Sequence, residues 1–208
     1  MLVLTDNDVV QKLARCDLYQ EFLRAFGVSF DDIQILPTAR YVLTSTKFQK
    51  RLDAASVTRL NAFFDAVKDI AAEPNWDDLT ALAEQPRIDQ GEAALFSIGA
   101  ATPDSLVATG DKRSLISLVE AAATNAFCVQ IVTRLANRVI CFEKVIHQIV
   151  THFGFQTVRD KLIHGRECDS ALAIVLGSGF EATESSVLEG LHSYINDLRK
   201  QTGAVLVE

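Results

Sequence analysis

Apolar positions along the chain follow two rhythms that alternate. Leu2-Val3-Leu4-Thr5 is a short, β-leaning run that stops at Asp6-Asn7-Asp8, and Val9, Leu13 and Cys16 then recur at helical spacing. Leu18, Phe22, Leu23 and Phe26 extend the helical rhythm until Gly27 ends it. Ile33 to Leu36 reads as a second strand bounded by Pro37, with Thr38 capping a helix that runs to about Leu52. Val57, Leu60, Phe64, Val67 and Ala71 predict one amphipathic helix over residues 55–72, broken at Glu73-Pro74-Asn75. A short helix over residues 76–84 follows.

Residues 88–113 form the next unit. A helix opens at Asp89, with Glu92, Leu95 and Phe96 on one face and Gly99 marking its end. The chain turns at Pro103, and Ser105 to Thr109 forms a strand leading into Gly110-Asp111. A helix from Lys112 to about Ala123 follows, and Asn137 to Phe142 reads as the last buried strand, ending at Glu143. Beyond it the pattern is helical, with stripes through Val145–Phe153, Val158–Ile163, Ala171–Leu176 and Val187–Leu198. Ala204 to Val207 suits either a frayed tail or an edge strand.

Strands alternating with helices up to about residue 142 predict a parallel sheet covered on both faces. The expected fold class is α/β, three-layer α/β/α, with a helical carboxyl-terminal extension. One domain over 1–208 is expected, its α/β core at about 1–143 and the extension at about 144–208.

Composition narrows the function classes. A formal net charge of −7 argues against a general nucleic-acid coat protein, because nonspecific phosphate binding needs a positive surface. Local patches remain, one at Lys47, Lys50, Arg51 and Arg59, another at Lys112 and Arg113. No apolar run approaches the roughly 20 residues of a membrane span, and the amino-terminal residues lack a secretory pattern. Cys16, Cys128, Cys141 and Cys168 form no CxxC pair and read as small buried hydrophobes, so a cytoplasmic protein is expected. His147, His152, His164 and His192 fall on the carboxyl-terminal helices, away from the strand ends, and read as ordinary packed or surface residues.

The candidate chemistry is acidic. Strand carboxyl ends in a parallel sheet point one way, so Asp6, Asp111 and Glu143 fall on one rim. Carboxylates crowded there repel unless a cation sits among them, and Mg²⁺ or Mn²⁺ suits hard oxygen ligands. Each acid also has a structural reading. Asp8 suits a helix N-cap, Asp89 with Glu92 matches a capping box, Asp111 suits the cap of the following helix, and Glu143 favours a helix dipole.

These residues resemble the PIN-domain superfamily of metal-dependent ribonucleases, which includes the toxins of toxin–antitoxin pairs. LTDNDVVQKLA at the start, the D-x-G-E helix and LVATGDKR carry the resemblance, over about residues 1–115. It implies Asp6, Asp8 and Asp111, with Glu92 or Asp89, as ligands of Mg²⁺ or Mn²⁺, with Asp6, Glu92 and Asp111 as the catalytic acids, and RNA or an antitoxin-like protein as partner. Glu143 on the same rim is a candidate additional acid, Lys112 and Arg113 are candidate phosphate or RNA contacts, the helical extension offers a surface for a second copy, and no membrane partner is expected. The family carries a further Glu on the helix after the second strand, where this chain has Val42. Two other readings compete. One is a catalytically degenerate PIN-like interaction module. The other is a haloacid-dehalogenase-like phosphatase using Asp6 as nucleophile and Asp8 as its acid–base partner, a motif here imperfect because Val10 is followed by Gln11.

Overall fold

The computed structural model describes all 208 residues. In chain order they form β1 (Leu2–Thr5), α1 (Asn7–Cys16), α2 (Tyr19–Phe26), β2 (Ile33–Ile35), α3 (Pro37–Thr44), α4 (Thr46–Gln49), α5 (Ala54–Ala66) and β3 (Lys68–Asp69). These are followed by α6 (Trp76–Ala83), α7 (Gln90–Ala101), β4 (Ser105–Thr109), α8 (Lys112–Ala121), α9 (Ala126–Arg134) and β5 (Val139–Cys141). The chain closes with α10 (Phe142–Phe153), α11 (Phe155–Gly165), α12 (Ser170–Val175) and α13 (Glu184–Thr202).

The five strands make one all-parallel sheet in the order β3-β2-β1-β4-β5. The chain works outward from β1 to β3, then crosses to the other side of β1 to add β4 and β5. The strand order therefore reverses between β1 and β4, which is where open α/β sheets form a crevice at the strand carboxyl ends.

Side-chain alternation along each strand separates two hydrophobic layers. Val3, Ile33, Ile35, Leu106, Ala108 and Ile140 face the layer built with α1, α2, α5, α10 and α11. Leu4, Val107, Val139 and Cys141 face the layer built with α6, α7, α8 and α9. Helix α13 serves both, burying Val187 and Leu191 in the first layer and Ile195 and Leu198 in the second. The three-layer expectation is met. Helices α10 to α12 cover the first face directly, and α10 packs against both α2 and α13.

Several local expectations need correction. The first helical stretch is two helices, because Asp17 turns left-handed (φ 53°) and its N–H closes the end of α1. Pro37, not a Thr38 cap, starts α3 at the position where a missing N–H costs nothing, and Ser45 interrupts the run to Leu52. The helix expected to reach residue 72 stops at Ala66, since Lys68-Asp69 pairs with β2 as an exposed edge strand. Helix α9 carries no clean apolar stripe, because Phe127 and Val129 are exposed beside buried Cys128 and Ile131. The chain end lies along β5 through a parallel bridge between Val139 and Leu206, with the Val207 N–H donating to Val139 O at 2.9 Å.

Gly99 does not end α7, which continues to Ala101. A Cβ at Gly99 would drive into Val107 Cγ2 on β4, so the glycine exists to let helix and strand approach. In an exposed helix, Gly→Ala adds about 1 kcal/mol of stability. Here Gly99→Ala is expected to destabilise by about 1–3 kcal/mol through overpacking, and Val107→Ala in the same chain is expected to recover part of the loss. Urea denaturation of the three proteins reads the sign directly.

Candidate active site

A cavity of about 770 Å³ opens at the carboxyl ends of β1 and β4, and Asp6, Asp8, Lys12, Asp89, Glu92, Asp111, Lys112, Arg113 and Asp169 are among its lining residues. The β1–β4 register places Thr5 beside Ala108, so the residues that leave the two strands meet across one gap. Asp6 closes it. One carboxylate oxygen accepts from Val9 N at 2.7 Å and caps α1; the other accepts from Thr109 Oγ1 at 2.8 Å and Gly110 N at 2.7 Å. The N-cap is therefore Asp6, and Asp8 lies within the first turn of α1 instead of capping it. A Cβ at Gly110 would collide with the Asp8 carboxylate, so glycine is required where the β4 exit passes α1.

Asp89 and Glu92 form the expected capping box of α7, with Asp89 Oδ1 accepting from Glu92 N at 2.8 Å and Glu92 Oε2 accepting from Asp89 N at 2.8 Å. Asp111 caps α8 by accepting from Arg113 N at 2.8 Å and Ser114 N at 3.2 Å. The two helix starts face each other. Glu92 and Asp111 line the same cavity, and the neighbouring Asp111 carboxylate disfavours charge on Glu92. Burial, with the Asp111 and Asp89 charges adding to it, pushes Glu92 up to about 7. Burial also pushes Asp6 up to about 6, its hydrogen bonds offsetting only part of the shift.

The other side of the cavity is neutralised internally. Lys12 is buried, ion-paired with Asp8 and hydrogen-bonded to Asp169 Oδ2 at 2.8 Å. Burial opposes charge on both Lys12 and Asp169, but their pairing wins: the lysine lies above its ordinary value and the aspartate below. Lys112 is ion-paired with buried Glu143, which holds its ammonium above its ordinary value against burial. Glu143 thus reaches the rim only through Lys112 and does not line the cavity itself. Arg113 is exposed and has no side-chain ion pair, and neither has exposed Arg87, which lines an adjoining pocket with Glu92, Asp111 and Arg113.

Sequence reasoning missed Lys12 and Asp169. Lys12 follows Asp8 by four residues, a visible helical pairing signal. Asp169 lies 157 residues from Lys12 and left no local trace beyond its fit as the N-cap of α12. Val42 lines the same cavity and is 44% exposed, so the position expected to carry a Glu does face the acids. The four histidines lie outside the cavity, as does the patch at Lys47, Lys50, Arg51 and Arg59; Arg59 is occupied by Ala14 O and Asp17.

No three acidic, histidine or cysteine side chains converge into a ready-made cage for an ion. The donor set nonetheless suits Mg²⁺ or Mn²⁺, because Mg²⁺ keeps several waters and uses one or two carboxylates, as Glu92 and Asp111 offer. No family model, curated protein or solved structure matches the chain. No helix is long and apolar enough to cross a membrane.

The raised carboxyl groups dictate a pH response. Asp6 and Glu92 hold protons in the folded chain at pH values where the unfolded chain, near 3.8 and 4.5, has released them. Their contribution to stability is therefore fully present below about pH 4 and is lost as pH rises through about 6 and 7. In EDTA, the thermal midpoint should fall between pH 5 and pH 8, and Asp6→Asn with Glu92→Gln should flatten that slope. A midpoint that rises over this interval would contradict the assigned environments.

Proposed function

We propose that the chain is a PIN-like, metal-dependent ribonuclease that hydrolyses RNA phosphodiester bonds at the β1–β4 crevice. The observation that carries the reading is the pair Glu92–Asp111, both lining the cavity from the starts of α7 and α8 and neither ion-paired with a side-chain cation. Asp8 and Asp169 have Lys12, Glu143 has Lys112, and Asp6 has three donors, whereas Asp89, Glu92 and Asp111 have only the backbone N–H groups they cap.

In this reading Glu92 and Asp111 hold the ion, with Asp6 and Asp8 behind them and Asp89 fixing Glu92 through the capping box. A divalent ion held there would activate a water near neutral pH and stabilise the negative charge on the leaving oxygen. Asp6 orients the Thr109–Gly110–Asp111 turn and so sets where the Asp111 carboxylate points. Arg113 meets a phosphate oxygen at the rim, while Lys112 acts through Glu143. RNA is the proposed substrate, and the antitoxin-like partner implied by the resemblance, with self-association through the helical extension, belongs to the same proposal.

Two features argue against the phosphatase alternative. A nucleophilic Asp6 needs a free oxygen aimed at phosphorus, yet its oxygens accept three hydrogen bonds that hold the crevice closed. Asp8, the required proton donor, is committed to Lys12.

A labelled single-stranded RNA incubated with the purified protein in Mn²⁺, and in EDTA as control, tests the reading. Glu92→Gln and Asp111→Asn should each lower Mn²⁺-dependent cleavage by about 100-fold or more while leaving the far-ultraviolet circular dichroism intact. Val42→Glu should tighten Mn²⁺ binding by about tenfold, since it adds a carboxylate to a cavity its side chain already faces. Release of phosphate from small monoesters, lost in Asp6→Asn, would replace this reading with the phosphatase.

A further inference from the structure

We propose that the Lys12 ammonium stands in for a second cation, so that the cavity takes one divalent ion and not two. This rests on the metal-centre reading above and adds the number of ions and the residue that sets it.

Two groups of carboxylates line the cavity. Glu92 and Asp111 form one, from the starts of α7 and α8. Asp8 and Asp169 form the other, and they converge on one point, occupied by Lys12 Nζ. The Lys12 and Asp169 side chains are only 8% and 7% exposed and Asp8 is 34% exposed, so water screens the Lys12–Asp169 pair little and Asp8 in part. The Phe142 ring lies beneath, its centroid 5.1 Å from Nζ, and offers the ammonium its negative face. Asp169 is held in turn by the Leu172 N–H at 3.0 Å, and Asp8 Oδ1 by Gln11 Nε2 at 2.9 Å. All these contacts fit an ammonium held at a fixed point.

Two-metal sites set their ions about 3.5–4 Å apart and share carboxylates between them. A second ion here would need Asp8, the one remaining acid at the β1 end that is not consumed by backbone donors. Asp8 is already paired, and a divalent ion beside a buried ammonium would be repelled at short range in a poorly screened setting. Lys12 therefore leaves a single vacancy in charge, at Glu92 and Asp111. It acts as a positioning residue: it fixes Asp8 and Asp169 and decides the ion count.

Counting Mn²⁺ bound to the full chain, by titration calorimetry and by electron paramagnetic resonance of the free ion, tests this. The wild-type protein should bind one ion, and Lys12→Arg should also bind one. Lys12→Met should bind two, the second more weakly, because Asp8 and Asp169 then face each other without a cation. Loss of one partner from a buried ion pair is destabilising, so Lys12→Gln, which keeps a hydrogen-bond donor to the same acids, is the second variant and should likewise gain an ion. Thermal midpoints across a Mn²⁺ series should rise more steeply for these variants than for wild type. Two ions on the wild-type chain, or a single ion on folded Lys12→Gln, would retain the metal centre and overturn the role of Lys12. No ion on the wild-type chain would remove the metal centre itself, and this inference with it.

Discussion

The Asp6 carboxylate joins three pieces of the protein that would otherwise meet only through backbone. It caps α1 through Val9, takes the Thr109 hydroxyl at the end of β4 and takes the Gly110 N–H beyond it, while its own N–H donates to Ala108 O at 3.0 Å. Those bonds fix the point at which the strand order reverses. They also set the direction in which the chain leaves β4, and with it the positions of Asp111 and the start of α8. Burial of a carboxylate there is costly, as its pKa near 6 records, and the hydrogen bonds return part of that cost.

The crevice is electrostatically lopsided as a result. Lys12 on α1 is neutralised by neighbouring Asp8 and distant Asp169, and Lys112 at the start of α8 by Glu143; Asp169 and Glu143 both come from beyond β5. On the α7–α8 side, two helix N-termini point their capping acids at one another without a side-chain cation to separate them. Helix starts favour anions, which eases the crowding of Glu92 and Asp111 without removing it. The proposed ion would complete the side that the protein leaves unbalanced.

Capping and metal binding first present themselves as rival explanations for these acids, and the geometry shows why they need not be. A capping acid spends one oxygen on backbone N–H groups, as Asp89, Glu92 and Asp111 do through Oδ1, Oε2 and Oδ1. The other oxygen stays available, and the cap fixes where it points. Asp8 is the exception: local pattern suggests a cap there, but Asp6 supplies it two residues earlier. Gly99 carried a similar ambiguity. A glycine can end a helix or permit close packing, and only the position of Val107 distinguishes the two.

The strands β1, β2, β4 and β5 and the helices α6, α7, α8 and α10 to α13 were legible in the chain itself, because a half-buried element must repeat its apolar positions at its own period. So was the shared rim of Asp6 and Asp111, which follows from strand direction alone. The edge strand β3 and helix α9 were not, since a two-residue exposed strand and a helix with exposed Phe127 and Val129 have no such period. Nor was the charge pattern of the crevice. Local sequence determines which residues cap and which faces are apolar, because those depend on neighbours within one or two turns. Which acid of the crevice finds a lysine, and which does not, depends on side chains up to 157 residues apart, and only the folded chain brings them into range.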